Sequence, residues 1–330
     1  MTTTDQRTAT AATYDDRGTD GNGPSYYNQP VIKEPVWEWE IPCYFFTGGL
    51  AGAGAGLAYL AGLRANEPLA RRAWVISLTA VTASPVLLIL DLGKPQRFFN
   101  MLRMFKVSSP MSVGSWILSA SGAATAVAAL NALTAELPRG ARVARPIAAL
   151  LGLPLSTYTA ALVANTAVPV WHEARRELPF LFAAGAAASA GASAVVITPL
   201  DDAAPARRLA LLGATGELAA TAWMERQLGD LGAPYRHDRA GRLTRWARGL
   251  TAAGTGVLAA GGSRSRPAAA AGGLLIISGA LAKRWSVFRA GCQAAGDPQQ
   301  IIGPQRERIR SGLTRGASKH LPPRSTKGNA

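Results

Sequence analysis

Long apolar stretches alternate with short polar segments along most of the chain. Five stretches run for about 18 to 25 residues with no regular polar stripe: Ile41–Leu63, Ala73–Leu90, Met111–Ala135, Pro146–Val170 and Pro179–Leu200. An α-helix needs about 20 apolar residues to cross the hydrocarbon core of a bilayer. Core helices of soluble proteins seldom reach this length without a polar face. The pattern therefore predicts a protein that crosses the membrane several times.

Three weaker apolar segments follow in the last third of the chain: Leu209–Met224, Leu250–Gly262 and Pro267–Ala282. The second is short, but Trp246 and Arg248 can extend it as interfacial anchors. With these segments we count about eight transmembrane helices, and the fold class is an all-α integral membrane protein. The run "GGLAGAGAG" (48–56) lies within the first span, where it predicts a face of small residues that packs closely against another helix.

The two ends of the chain lack this apolar pattern. The polar composition of residues 1–36 predicts a disordered amino-terminal tail without a cleavable signal peptide. The basic composition of residues 286–330 predicts a basic carboxy-terminal tail. The net charge is +15, and with eight spans 25 of the 35 Lys and Arg residues fall on the side of both termini, many of them in the tail. This bias predicts cytoplasmic termini in a multi-pass plasma-membrane protein. The positive charge is then expected to set the membrane orientation, or to bind anionic lipid or an acidic partner, and not to bind nucleic acid.

The residues that usually hold redox groups are scarce. The three histidines, His172, His237 and His320, fall in predicted loops or in the tail, so no haem is expected between the helices. The two cysteines, Cys43 and Cys292, cannot hold an iron–sulfur cluster. No metal site and no nucleotide-binding motif is expected either. If the protein takes part in redox chemistry, the electrons must come from another group.

One polar segment between two spans carries a specific pattern, "DLGKPQRFFNMLRMFKVSSPMSVGSW" (91–116). It closely resembles the motif D-L-G-x-P-x-R-F…M-L-R…F-x-x-x-S-P-M-S-x-G-x-W of the polysulfide reductase membrane-subunit family (NrfD/PsrC-like). Two further stretches resemble the first and fourth spans of that family: "WEIPCYFFTGGLAGA" (39–53) and "LSTYTAALVANTAVPVW" (155–171). The resemblance extends over roughly residues 37–200.

The resemblance implies a haem-free, quinone-binding subunit built as two four-helix bundles. On this basis residues 37–171 form the first bundle, with the quinone site, and residues 172–285 form the second. The partners implied are a four-cluster ferredoxin-like iron–sulfur subunit and a molybdopterin catalytic subunit. The subunit would exchange electrons and protons between the iron–sulfur partner and the menaquinone pool, while the substrate site would lie on another subunit.

Quinone chemistry requires proton donors near both carbonyl oxygens and an apolar slot for the ring. The family uses a Tyr of the fourth span and a His of the first; Tyr158 matches the Tyr, but Glu40 stands where the His is expected. The catalytic candidates are therefore Glu40, Asp91 and Tyr158, with Glu40 acting as a proton-exchanging acid in place of the His. The remaining binding candidates are Trp39, Tyr44, Gly93, Pro95, Arg97 and Asn165.

Structural roles compete with each of these assignments. Asp91 can serve as a helix-end residue before a turn, Glu40 as a solvated interfacial acid, and Tyr158 as an ordinary interhelical donor. Four cations between the second and third spans either mark the inner membrane face or form a docking surface for the iron–sulfur subunit. That surface would comprise Arg97, Arg103 and Lys106, with apolar contacts from Phe98, Phe99, Met101 and Phe105.

Glu217 is an acid inside a predicted span, outside the stretch that resembles the family. It either belongs to a proton path or bonds to a neighbouring helix. Two other functions also fit an eight-span chain with Gly and Pro interruptions: a secondary transporter and a purely structural membrane anchor. No repeat relates the two halves, and the candidate acids cluster at one face, which favours the quinone-reactive subunit.

Overall fold

The computed structural model describes residues 37–92, 96–103 and 105–296 together with Pro35, and these residues form an all-helical protein. The α-helices are α1 (Glu40–Leu63), α2 (Glu67–Asp91), α3 (Gln96–Arg103), α4 (Pro110–Thr134), α5 (Pro138–Ala164), α6 (Pro169–Glu173), α7 (Leu178–Ile197), α8 (Ala204–Leu228), α9 (Asp238–Gly261) and α10 (Arg266–Gly296). A short 3₁₀ helix, Gly229–Tyr235, connects α8 to α9.

The long helices pack in two sets. In the first helix group, α1, α2, α4 and α5 contact one another, and in the second helix group, α7 to α10 do the same. Helix α7 joins the groups through contacts with α1, α2 and α5, and α10 also contacts α1. Because successive long helices run in opposite directions, the start of α1 and the end of α10 lie at the same end of the molecule. We call this the termini end.

Small residues allow the helices to approach closely, as the glycine-rich run predicts. A Cβ atom on Gly52 of α1 would lie 2.3 Å from the carbonyl oxygen of Gly152 on α5. On another face of α1, Gly54 lies against Ser77 of α2, and the Ser77 hydroxyl donates to the Ala51 carbonyl at 2.7 Å. The prediction of a close-packing face at residues 48–56 is confirmed.

Within the described residues, five helices are long and apolar enough to cross a membrane: α1, α2, α4, α5 and α7. They coincide with the five strong apolar runs, and the protein is therefore a multi-pass membrane protein. Helices α8 to α10 are as long but carry more charge; α9, for example, begins with five charged residues before Gly249. The count of eight spans stays a prediction.

Several element boundaries differ from the sequence prediction. The fourth apolar run is not one helix to Val170: α5 ends at Ala164, and α6 begins at Pro169. Proline cannot donate the backbone hydrogen bond that a continuous helix requires, so the chain turns before restarting. Helix α10 continues to Gly296, eleven residues into the predicted basic tail, and the segment between α2 and α4, treated as a loop, contains the short helix α3.

Candidate functional site

A narrow cleft opens at the termini end of the first helix group. It lies where α1 and α4 begin and where α2 and α5 end, with α3 alongside. Its lining residues are Trp37, Ile41, Tyr44, Leu88, Asp91, Leu92, Met101, Met111, Ser115, Tyr158 and Leu162. The wall is thus largely apolar, with one carboxylate, two phenols and one serine hydroxyl. Apolar walls with a few convergent polar groups are typical of small-molecule sites.

Two tyrosines face each other across this cleft. Tyr44 of α1 is 1% exposed, and Tyr158 of α5 is half-buried. Their ring centroids are 6.3 Å apart with an interplanar angle of 66°, an edge-to-face arrangement. Within the described part of the chain, the buried Tyr44 hydroxyl has no hydrogen-bond partner. A buried donor without a partner is costly, so it is suited to an acceptor that enters the cleft.

The first turns of α4 hold the Tyr158 ring in place. Ser109 caps the helix, since its hydroxyl accepts from the Ser112 backbone N–H at 3.4 Å, and Pro110 follows at the first helical position. One turn later comes Gly114, where a Cβ atom would lie 2.1 Å from Cε2 of Tyr158. Only a glycine leaves room for the ring against this part of α4.

Acidic side chains gather beside the cleft. Asp91, the last residue of α2, accepts a hydrogen bond from the Glu38 backbone N–H and lies within electrostatic range of Glu38 and Glu40. Glu40 is 9% exposed, and its Oε2 atom has no hydrogen-bond partner among the described residues. Glu40 does not line the cleft itself, but it lies next to the acid that does. Asp91 therefore has a structural contact as well as a position in the cleft wall.

The cleft is small as it stands. Its volume of about 30 Å³ accommodates one or two water molecules but not a quinone ring. Met101 and Met111 form part of the wall, and unbranched methionine side chains rearrange readily. A ring therefore enters only if such side chains move aside.

The remaining sequence candidates lie away from the cleft. Trp39 is 51% exposed, Arg97 is exposed on α3, and Asn165 is exposed where α5 ends. None of the three lines the cleft. Gly93 and Pro95 lie outside the described residues.

Of the eleven lining residues, only Tyr44, Asp91 and Tyr158 are sequence candidates, and three of the others have a recognisable place in the sequence. Ser115 belongs to the "SPMSVGSW" segment of the motif, and Met101, which the sequence assigns to the partner surface, lines the cleft. Trp37 stacks on Trp171 with ring centroids 6.1 Å apart, and the indole N–H of Trp171 donates to the Val287 carbonyl of α10 at 2.8 Å. This aromatic pair links the cleft wall to the second helix group. In the sequence, this aromatic pair is visible only as tryptophans near the ends of predicted spans.

Comparison with known families agrees with this geometry. The family polysulphide reductase, NrfD matches residues 28–204, which include α1 to α7. The chain belongs to the NrfD family. No curated protein matches the chain at a significant level. Family membership indicates a membrane subunit of polysulphide- or quinone-oxidoreductase-like complexes, and the matched range contains all the residues that line the cleft.

The described residues offer few alternatives to the cleft as a redox site. Within the described residues, no group of three or more His, Cys, Asp or Glu side chains is placed to hold a metal ion. His172 lies in α6 and His237 directly precedes α9; both are exposed. The cleft between Tyr44 and Tyr158 is therefore the best candidate for the chemistry of this NrfD protein.

Proposed function

We propose that this NrfD protein is the quinone-reactive membrane subunit of an oxidoreductase complex. It exchanges electrons and protons between an iron–sulfur partner and the menaquinone pool, while a molybdopterin subunit carries the substrate site. The observation that supports this most directly is the cleft in which Tyr44, Asp91 and Tyr158 converge within apolar walls. The eight long helices then form two four-helix bundles in the plasma membrane, with the termini end on the cytoplasmic side, where 14 of the 24 described Lys and Arg residues lie.

Each polar group of the cleft has a distinct task in this proposal. The Tyr44 and Tyr158 hydroxyls would donate hydrogen bonds to the quinone oxygens, and Ile41, Leu88 and Leu162 would form the apolar wall beside the ring. The bound quinone supplies the two-electron, two-proton chemistry. Asp91, the carboxylate that lines the cleft, would receive or deliver a proton. Glu40, buried beside Asp91, connects that acid to solvent at the termini end.

The partner surface adjoins the cleft. Arg97, Arg103 and Lys106 are exposed at the termini end, and Phe105 is 62% exposed beside them. We call these four residues the basic docking surface. An iron–sulfur subunit with acidic residues can bind there, which brings its last cluster close to the cleft. The side chains of Phe98 and Phe99, which the sequence also assigns to this surface, lie outside the described residues.

Quinone binding can be measured on the full chain in lipid nanodiscs. Trp37 lies in the cleft wall, so a bound naphthoquinone should quench its fluorescence. We expect saturable quenching, and Tyr158→Phe should weaken the affinity about tenfold, because one hydrogen bond to the ligand is worth about 1 kcal/mol or more. Tyr59→Phe is the matched control, since Tyr59 lies at the other end of α1 and lines a different cavity.

The result also separates the competing functions. If no saturable quenching occurs, or if Tyr59→Phe weakens it as much as Tyr158→Phe, the quinone site is not in this cleft. A purely structural anchor would capture the iron–sulfur partner without binding quinone. A transporter would do neither.

Partner docking needs its own experiment. The chain is coexpressed with its iron–sulfur partner, and charge reversal at Arg103 and Lys106 is compared with Arg142→Glu. Arg142 is exposed on α5 at the opposite end of the molecule. We expect the double reversal to abolish copurification and the control to preserve it. Equal copurification in both variants would remove the basic docking surface from the proposal.

A further inference from the structure

A second cluster of polar groups is buried in the second helix group, away from the quinone cleft. Glu217 of α8 and Lys283 and Arg284 of α10 are each 2% exposed. All three lie outside the range 28–204 that matches the NrfD family. Burying charged side chains at membrane depth is expensive, so such residues are seldom retained without a task.

Glu217 and Arg284 converge on one point of α7. A Cβ atom on Gly185 would lie 2.6 Å from Oε1 of Glu217 and 3.2 Å from Nη2 of Arg284. Arg284 is held from the other side, because its Nη2 donates to the Phe182 carbonyl at 2.7 Å and its guanidinium lies 3.8 Å from the centroid of the Phe182 ring. Both Glu217 carboxylate oxygens, by contrast, have no hydrogen-bond partner among the described residues. Arg284 is thus a fixed charge beside a carboxylate that is free to bind a proton.

Lys283 extends in the opposite direction, toward the termini end. Its Nζ lies 5.7 Å from the centroid of the Tyr235 ring and has no hydrogen-bond partner in the described part of the chain. Glu225 and Glu217 are both within its electrostatic range. Glu225 is ion-paired with Arg248, which is 42% exposed. Lys283 therefore lies between the inner acid and an acid close to solvent.

The spacing along α8 gives the depth of this arrangement. Glu217 and Glu225 are eight residues apart, which places Glu217 about 12 Å deeper along the helix axis. Thr221, 2% exposed, lies midway on the same face. Neither carboxylate can reach the other directly over this distance, so a proton that passes between them needs Lys283 or water.

In the described part of the chain, the helices packed around Glu217 add no further charged side chain beside it. Helix α7 has no charged residue, and α1 presents Gly49 to Arg284. The connection between α8 and α9 contributes Tyr235, and α9 contributes Arg248. Burial, with a smaller contribution from Glu225, raises the pKa of the Tyr235 phenol above its ordinary value, so this hydroxyl stays neutral. Among the described residues, Arg284 and Lys283 are the charges that act on Glu217.

We propose that Glu217 and Lys283 form a proton-exchange pair inside the second helix group, loaded from the termini end through Glu225. In the transfer, a proton leaves the Lys283 ammonium and, relayed by water because the two side chains are not hydrogen-bonded, binds a Glu217 carboxylate oxygen: one N–H bond breaks and one O–H bond forms. This leaves two neutral side chains beside Arg284. Glu225, protonated by solvent, then returns a proton to the amine. The pair functions independently of the quinone cleft, so either proposal can fail without the other.

The test uses the full chain in lipid nanodiscs and infrared spectroscopy, in which a protonated carboxylic acid has a C=O band of its own. We expect a pH-dependent band that Glu217→Gln removes and Glu217→Asp shifts. Glu136→Gln, a matched change at an exposed acid, should leave the band intact. After transfer to D₂O, Lys283→Met should slow the isotope shift of this band at least tenfold.

Each possible outcome decides the question. If no carboxylic acid band belongs to Glu217 at any pH at which the protein stays folded, Glu217 is a permanent counter-charge and the proposal is wrong. It is equally wrong if Lys283→Met leaves the exchange rate unchanged. Should Glu217→Gln fail to fold, the shifted band of Glu217→Asp and the rate in Lys283→Met still give the answer.

Discussion

Gly114 offers the sharpest test of the quinone cleft, because a change there moves Tyr158 without removing a polar atom. In Gly114→Ala the new methyl carbon would lie 2.1 Å from Cε2, 2.7 Å from Cδ2 and 2.8 Å from Cζ of Tyr158. Ordinary carbon–carbon contact requires about 3.5 to 4.0 Å, so the ring must move by about 1.5 Å or more. A hydrogen bond from the Tyr158 hydroxyl to a ligand cannot survive such a displacement.

The expected loss is confined to binding. Without that hydrogen bond, affinity for a naphthoquinone should fall about tenfold, as in Tyr158→Phe. Thermal stability should change little, because a Tyr side chain can swing away from α4 and alanine favours helix by up to about 1 kcal/mol over glycine. The assay is Trp37 fluorescence quenching together with the unfolding midpoint. Gly122→Ala, on the same helix, is the control: its nearest neighbour, Val81 Cγ2, would be 3.6 Å away, an ordinary contact.

A double-mutant cycle decides whether Gly114 acts through the Tyr158 hydroxyl. If it does, Gly114→Ala should cost almost nothing further once Tyr158 is already Phe. Fully additive losses, or unchanged affinity in Gly114→Ala alone, would refute the reasoning.

Three further predictions concern helix packing and are measured as shifts in the unfolding midpoint. Gly52→Ala should cost about 2 to 3 kcal/mol, because its Cβ would meet the Gly152 carbonyl oxygen at 2.3 Å and a backbone cannot swing aside. Trp171→Phe should cost about 1 to 3 kcal/mol through loss of the hydrogen bond to Val287. Arg266→Lys should cost about 1 to 2 kcal/mol, because its guanidinium donates to three carbonyl oxygens at the end of α7 and an ammonium cannot reproduce that fork.

Each of these changes has a neutral counterpart elsewhere in the chain. At Gly56 a Cβ atom meets nothing within 4 Å, so Gly56→Ala should be harmless. Trp223→Phe, at a tryptophan that is 41% exposed, and Arg264→Lys, on an exposed turn, should each cost less than the corresponding test variant. Equal costs in any test and control pair would show that the named contact is not responsible.

The sequence predicts which segments are helical more reliably than it predicts where the helices begin and end, or the residues of the cleft. Apolar length alone locates α1, α2, α4, α5 and α7, because a bilayer requires that length whatever the neighbouring helices are. Helix α9 begins at Asp238, twelve residues before its apolar run, because its first turns carry arginines that an apolar pattern does not include. Helical turns form their backbone hydrogen bonds whether or not their side chains are apolar, so an apolar pattern does not reveal these turns.

The cleft shows a different limit of sequence reasoning. Tyr44 follows Glu40 by four residues and lies one turn away from it on α1. Asn165 follows Tyr158 by seven residues and would share its helical face only if α5 continued. The helix ends at Ala164, so Asn165 lies exposed. Periodicity along one helix identifies a face but not what covers it. Trp37 and Met101 enter the cleft from segments outside the long helices, where no period applies.

The motif that first indicates the family has a physical explanation in these contacts. Ser109 and Pro110 start α4 at a defined residue, which fixes the rotation of every later position on that helix. That rotation turns Gly114 toward Tyr158 and places Ser115 in the cleft wall. At the other end of the motif, Asp91 closes α2 and holds the Glu38 backbone. A segment that looks like a polar connection is therefore the part that positions Tyr158 and forms part of the cleft wall, and changing its small residues should disturb binding as much as changing the Tyr158 phenol itself.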